Sequence, residues 1–167
     1  MEIGYKTLLP NITTLIFDVD GVFTDNKIYL INSGEMARTS NVRDGYAVQW
    51  AVKKGLRIAI ITGGRSQLVK ERFELLGVKD VFIGVADKVE VFNAYCNKYS
   101  IKKNEILYMG DDIPDFELMK LVSIAACPQD AVPEIKSISN YISHLKGGDG
   151  CVRDVIEQVM KVKNIWL

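Results

Sequence analysis

The stretch that decides the fold is Thr13-Thr14-Leu15-Ile16-Phe17-Asp18-Val19-Asp20-Gly21. Its first five residues form an apolar run without alternation, which is typical of a parallel strand buried on both faces. In open parallel sheets, ligands bind at the carboxyl ends of the strands. The sequence therefore predicts that Asp18 and Asp20 lie where chemistry takes place. Asp and Gly are also ordinary turn residues, so this pattern alone leaves a structural interpretation equally open.

Similar apolar runs recur along the chain, separated by stretches of helical length. The predicted strands are 13–17, 57–62, 80–83, 105–110 and a weaker 122–126, and the predicted helices are 45–54, 66–76, 88–99 and 114–121. Ser66 and Asp87 are suited to cap the second and third helices. This alternation predicts an α/β fold, a doubly wound parallel sheet of the Rossmann-like kind.

Residues 26–41 interrupt the strand–helix alternation. An alternating segment, Ser33-Gly34 and a second extended segment predict a β-hairpin, in place of the cap domain that many such folds insert here. The chain ends with the glycine-rich tail Gly147-Gly148-Asp149-Gly150 and an amphipathic helix, together about 147–163. A length of 167 residues predicts a single domain spanning residues 1–167.

Composition narrows the classes of partner. With 21 basic and 21 acidic residues the net charge is zero, so no sequence-wide basic field argues for nucleic acid. No segment approaches the ~20 apolar residues of a membrane span, and 1–10 lack a signal-peptide pattern. The three cysteines have no paired spacing, which favours reduced thiols. We therefore expect a cytoplasmic protein that binds neither nucleic acid nor membrane.

Four predicted strands end in residues that suit different parts of one reaction. Besides Asp18 and Asp20, these are Thr62, Gly63 and Gly64 after the second strand, Lys88 after the third, and Asp111, Asp112 and Asp115 after the fourth. A hydroxyl with glycine amides at a helix start favours phosphate binding, although a helix cap is the simpler interpretation. Two like charges ~4 Å apart at an effective dielectric of ~20 repel by about 4 kcal/mol. A divalent cation removes that repulsion, and oxygen ligands favour Mg²⁺.

In their order, these motifs resemble the haloacid dehalogenase superfamily of phosphotransferases. Within it, the chain is most similar to the cap-less 3-deoxy-D-manno-octulosonate 8-phosphate phosphatases. The likeness covers nearly the whole chain and rests on DVDGVFTD at 18–25, NVRDG at 41–45, YMGDDIPD at 108–115 and GGDGCVRDV at 147–155.

The resemblance implies a role for each strand-end residue. Asp18 would attack phosphorus and form an aspartyl phosphate, while Asp20 would protonate the leaving oxygen and later deprotonate water. Mg²⁺ would be held by Asp18, the backbone carbonyl of Asp20, and Asp111. The remaining implied roles are phosphoryl binding by Thr62 and Lys88, and orientation of the metal ligands by Asp112 and Asp115.

The resemblance also implies a homotetramer in which hairpins assemble and a neighbouring subunit completes each site. The implied substrate-binding residues are Asp20, Asn41, Arg43, Gly45, Gly63, Gly64, Arg65, Arg72 and Lys88. Many relatives carry an arginine two residues after the motif hydroxyl, where this chain has Gly64, and here Arg65 follows instead.

Three interpretations remain open at this point. The first is hydrolysis of 3-deoxy-D-manno-octulosonate 8-phosphate in lipopolysaccharide biosynthesis. The second is the same chemistry on a nine-carbon, sialic-acid-like sugar acid 9-phosphate, which the displaced arginine permits. The third is a non-catalytic sugar-phosphate-binding module, although Asp18 and Asp20 are both present. A phosphomutase is disfavoured, because such enzymes generally need a cap.

Overall fold

A six-stranded parallel sheet forms the centre of the computed structural model, which describes residues 4–31 and 36–167. The sheet order is β5-β4-β1-β6-β7-β8. Numbered along the chain, its strands are β1 (Thr14–Phe17), β4 (Arg57–Ile61), β5 (Asp80–Phe82), β6 (Ile106–Met109), β7 (Ile124–Cys127) and β8 (Tyr141–Ile142). The first strand lies centrally, paired in parallel with β4 and β6.

The helices cover both faces of this sheet, which confirms the predicted doubly wound α/β fold. They are α1 (Tyr5–Leu8), α2 (Val42–Lys53), α3 (Gln67–Leu75), α4 (Lys88–Tyr99), α5 (Phe116–Met119), α6 (Pro133–Ile138) and α7 (Cys151–Val162). In β1, Leu15 and Phe17 enter the core shared with α2 and α7, whereas Ile16 enters the core shared with α4. Successive side chains of a strand point to opposite faces, so this unalternating run is buried on both sides.

Several predicted boundaries were wrong for identifiable reasons. Helix α2 begins at Val42, three residues before the predicted start at 45, because Asn41 caps it by accepting the N–H of Arg43. The predicted helix 114–121 is a 3-10 turn at Ile113–Asp115 followed by α5. Asp87 caps α4 as predicted, whereas Ser66 occupies the N-cap position before α3 without a side-chain capping bond. Helices α1 and α6 and strand β8 were not predicted.

The hairpin predicted for 26–41 is present as β2 (Tyr29–Leu30) and β3 (Met36–Ala37), which pair antiparallel. Its predicted turn at Ser33-Gly34 lies outside the described residues. The glycine-rich tail packs against the loop that follows β1: the N–H of Gly148 donates to the carbonyl of Val22 at 3.0 Å. A Cβ at Gly147 would collide with the backbone of Gly21, so this approach requires glycine. Within 4–31 and 36–167, no helix is long and apolar enough to cross a membrane.

Candidate active site

A cavity of about 360 Å³ opens at the carboxyl ends of β1, β4 and β6. Eight of the predicted site residues line it, and these are Asp18, Asp20, Thr62, Gly63, Gly64, Lys88, Asp111 and Asp112. Asn26, Val85, Ala86 and Pro114 complete its wall. The parallel sheet has thus brought four distant stretches of chain to one edge.

The loop after β1 approaches Asp111 closely because Gly21 has no side chain. Gly21 has a φ of +80°, which glycine adopts without strain, and an added Cβ would overlap the carboxylate of Asp111. The N–H of Asp18 donates to the carbonyl of Met109 at 3.1 Å, which continues the β1–β6 ladder to the first acidic residue. These two features fix Asp18 and Asp111 side by side.

Asp18, Asp111 and Asp115 form a buried acidic cluster whose carboxylate oxygens lie within 4.8 Å of one another. Burial, followed by the charge of Asp115, raises the pKa of Asp18 to about 6. Burial also raises the pKa of Asp111 to about 7, with the neighbouring carboxylates adding to the effect. The Oδ1 atom of Asp18 is buried without any hydrogen-bond partner. This cluster therefore has more negative charge than its protein neighbours neutralise.

Lys88 is the cation that contacts this cluster. Its Nζ lies 2.9 Å from Oδ2 of Asp18 and 2.7 Å from Oδ1 of Asp115. Burial lowers the pKa of Lys88, but the two carboxylates outweigh that effect and hold it above its ordinary value. Lys88 is the first residue of α4, so the Asp87 cap that starts the helix also places the ammonium group.

Asp115 is fully buried and holds its neighbours in place. Besides Lys88, it accepts hydrogen bonds from the Tyr108 hydroxyl at 2.5 Å and from the N–H of Asp111 at 3.1 Å. The exposed Asp112 lines the cavity, yet its carboxylate accepts the N–H of Ile113 at 2.7 Å. Its assignment as a residue that orients metal ligands stays a prediction.

Thr62 lines the cavity next to Gly63 and Gly64. It is 3% exposed, and its Oγ1 accepts the N–H of Gly64 at 3.2 Å. That bond uses a lone pair of the hydroxyl, which leaves its proton free to donate to a phosphoryl oxygen. Because Gly63 and Gly64 have no side chains, they leave space for such a ligand.

Five predicted substrate-binding residues lie outside this cavity in the single chain: Asn41, Arg43, Gly45, Arg65 and Arg72. Asn41 caps α2 and donates to the carbonyl of Gly148 at 2.9 Å. Arg65 extends over Gly84, and the guanidinium of Arg72 lies beside Gly45, next to a neighbouring cavity of about 240 Å³. Their substrate contacts stay predictions.

Three residues of the site were missed from the sequence. Asn26 donates to Oδ2 of Asp111 at 2.9 Å, Arg38 forms an ion pair with Asp20, and Tyr108 donates to Asp115. Tyr108 carried a weak signal, since a hydroxyl within a fully buried strand needs a partner. Asn26 is 85 residues from Asp111 in the sequence, and Arg38 is 18 residues from Asp20. Only folding brings these pairs together, so no local pattern marks them.

The fold and the acidic site define a hydrolase of the haloacid dehalogenase-like class, and the family model of that description matches residues 78–155. A 3-deoxy-D-manno-octulosonate 8-phosphate phosphatase from Salmonella typhi is 36% identical over 154 residues, covering 92% of this chain and 82% of the relative. By this similarity, the chain belongs to the 3-deoxy-D-manno-octulosonate 8-phosphate phosphatase family.

Solved structures of phosphatases with this name share the fold of this chain. The phosphatase of that name from Yersinia pestis aligns with a TM-score of 0.92 and 33% identity, covering 95% of this chain and 86% of the other. The one from Moraxella catarrhalis, in complex with a magnesium ion, a phosphate ion and a KDO molecule, aligns with a TM-score of 0.91 and 29% identity. It covers 95% of this chain and 91% of that chain.

Proposed function

We propose that this protein hydrolyses 3-deoxy-D-manno-octulosonate 8-phosphate to the free sugar acid and phosphate, as a step in lipopolysaccharide biosynthesis. The observation that carries this proposal is the buried carboxylate of Asp18, with one oxygen on Lys88 and the other without a partner. It lies in a chain that is 36% identical to phosphatases named for this substrate.

Mg²⁺ fits the donor atoms that the chain presents. The unpartnered Oδ1 of Asp18 and the crowded carboxylates are oxygen donors that need a cation, and hard oxygen donors suit Mg²⁺. Asp18, Asp111 and the backbone carbonyl of Asp20 would hold the ion. Bound there, it would neutralise charge between the anionic nucleophile and the anionic phosphate.

Each of the four remaining roles in the reaction falls to a residue of the cavity: Asp18, Asp20, Lys88 or Thr62. A carboxylate oxygen of Asp18 forms a bond to phosphorus while the bond between phosphorus and the sugar oxygen breaks. Asp20 gives a proton to that oxygen, and later takes one from the water that releases phosphate from Asp18. Lys88 and Thr62 stabilise the charge on the phosphoryl oxygens.

The alternatives receive less support. The relatives described above are named for the eight-carbon acid, and no contact among the described residues favours the nine-carbon one. A non-catalytic binding module would not need a lysine and three carboxylates buried around one unpartnered oxygen.

The proposed assembly is a homotetramer, as the resemblance implies. The hairpin region exposes a group of large apolar side chains: Ile28, Tyr29, Leu30, Ile31 and Met36. Together with Leu30, which is 83% exposed, these neighbouring side chains form an apolar patch of the kind that a partner covers. Of the five predicted residues outside the cavity, the exposed Arg43, Arg65 and Arg72 would be available to a neighbour's site, whereas Gly45 is buried in its own chain. A single domain and a cytoplasmic location also stay predictions.

A screen of sugar phosphates with Mg²⁺ tests the proposal. We expect phosphate release to be fastest on the eight-carbon acid 8-phosphate, to stop in chelator, and to return when Mg²⁺ is restored. Faster release from the nine-carbon 9-phosphate would contradict the substrate. Full activity in chelator would contradict the metal.

A further inference from the structure

Arg38 holds the carboxylate of Asp20 with two hydrogen bonds. Its Nε lies 2.5 Å from Oδ1 and its Nη2 lies 3.1 Å from Oδ2. A third bond, from Nη1 to the carbonyl of Met36 at 3.0 Å, ties the guanidinium to β3, which ends one residue before Arg38. The side chain is only 12% exposed. Arginine is the side chain whose planar fork best fixes a carboxylate in one orientation.

The two oxygens of Asp20 are not equivalent in this arrangement. A Cβ built on Gly64 would lie 3.5 Å from Oγ1 of Thr62 and 3.6 Å from Oδ2 of Asp20, but 3.9 Å from Nη2 of Arg38. Oδ2 therefore faces the space beside the phosphate-binding hydroxyl. Oδ1 accepts the shorter of the two hydrogen bonds from Arg38.

Arg38 belongs to the wall of a neighbouring cavity. It lines the 240 Å³ cavity next to the site, together with Phe23 and Arg72, and does not line the cavity that contains Asp18. The guanidinium thus contacts Asp20 from outside the cavity that contains Asp18. From there it orients the carboxylate without occupying the space of the phosphoryl group.

We infer that Arg38 is a positioning residue that aims Oδ2 of Asp20 at the leaving oxygen, an inference that rests on the proposed phosphatase function. As the bond from Asp18 to phosphorus forms and the bond from phosphorus to the sugar oxygen breaks, Asp20, the proposed general acid, transfers a proton through Oδ2 to the sugar oxygen. In the second half, Oδ2 takes a proton from the attacking water. A carboxylate that rotates freely performs both transfers less often.

The test compares leaving groups. An alkyl phosphate, such as the sugar acid phosphate, needs a proton on its leaving oxygen, whereas p-nitrophenyl phosphate leaves as a stable anion. The ratio of kcat/KM on the two substrates reports only steps up to the first irreversible one, and so isolates the first proton transfer. In Arg38→Ala we expect kcat/KM on the alkyl phosphate to fall by about 10- to 100-fold, with a much smaller fall on the aryl phosphate.

Further variants separate positioning from other roles. Arg38→Lys, which keeps the charge without the fork, should fall between Arg38→Ala and wild type. In an Asp20→Asn background, Arg38→Ala should cause no additional loss on the alkyl phosphate, because Arg38 acts through Asp20. Arg57→Ala, at an exposed arginine that begins β4 at the amino end of the strand, should change kcat/KM on neither substrate. Circular dichroism checks that each variant is folded.

Two results would overturn the inference. Equal losses of kcat/KM on the alkyl and aryl phosphates would mean that Arg38 acts on the phosphoryl group or on the fold. An additive loss in the Asp20→Asn background would mean that Arg38 acts independently of Asp20. If wild type prefers another alkyl phosphate, the proposed substrate fails, while the same ratio measured on that ester still decides the role of Arg38.

Discussion

Two buried carboxylates in this molecule, Asp18 and Asp44, have similarly raised pKa values but different surroundings. Asp44 is fully buried in the first turn of α2, and burial raises its pKa to about 6, the value to which burial also raises that of Asp18. Each has one oxygen without a hydrogen-bond partner. By burial and pKa alone, both would be taken for functional groups.

Their neighbours differ. Oδ1 of Asp44 accepts the N–H of Arg153 at 2.7 Å in the first turn of α7, so this carboxylate caps a helix from a distant part of the chain. Asp18 instead shares its pocket with two more carboxylates and Lys88, beside an open cavity. A raised pKa therefore marks burial, and only the convergence of several charged groups on shared space marks the active site.

The largest expected difference between the two carboxylates is in turnover. Asp18→Asn should lower activity by at least about 10³-fold while leaving the fold intact, because an amide of the same shape cannot attack phosphorus. Asp44→Asn, the matched change at the capping carboxylate, should retain turnover. Steady-state phosphate release measures both variants, with circular dichroism as the check on folding. Substantial activity in Asp18→Asn would remove Asp18 from its role.

A smaller difference is expected in the pH dependence of stability. Because the pKa of Asp44 is raised in the folded state, the folded protein binds that proton more tightly than the unfolded chain does. The resulting stabilisation is complete below about pH 4 and is lost as pH rises through about 6, and it amounts to on the order of 3 kcal/mol. The charge of Arg153 lowers the pKa of Asp44, and the charge of Asp149 raises it.

Urea denaturation of wild type and Asp44→Asn between pH 4 and 7.5, in chelator, measures this effect. The free energy of unfolding of wild type should fall relative to that of the variant as pH rises across this window, because the amide does not titrate. Parallel curves would show that Asp44 titrates normally and that its burial is compensated.

The smallest expected effect concerns Asp111, the proposed metal ligand. Asn26→Gly removes the side-chain donor to Asp111 and should raise the Mg²⁺ concentration for half-maximal activity by about 10-fold. Glycine is the appropriate replacement because Asn26 has a φ of +62°. Asn164→Gly is the matched control, an exposed asparagine with a φ of +56° far from the cavity. An equal change in both variants would contradict a specific role for Asn26.

Much of the fold was predictable because short apolar runs recur along the chain and are separated by stretches of helical length. The strands β1, β4 and β6 and the helix α4 were located from such runs, together with a capping residue at Asp87. Helix α6 and strand β8 were missed because they are short and depend on packing against β7. The capping role of Asn41 was not predicted, although asparagine is a preferred N-cap residue.

The sequence by itself determined the order of the acidic, hydroxyl and lysine residues at successive strand ends, and with it the class of chemistry, because parallel strands bring their carboxyl ends to one edge. Only the tertiary structure decided which carboxylates share space, which oxygen of Asp18 lacks a partner, and that Arg38 reaches Asp20. These contacts join segments that no local pattern relates, since they depend on loop paths and side-chain directions fixed by packing.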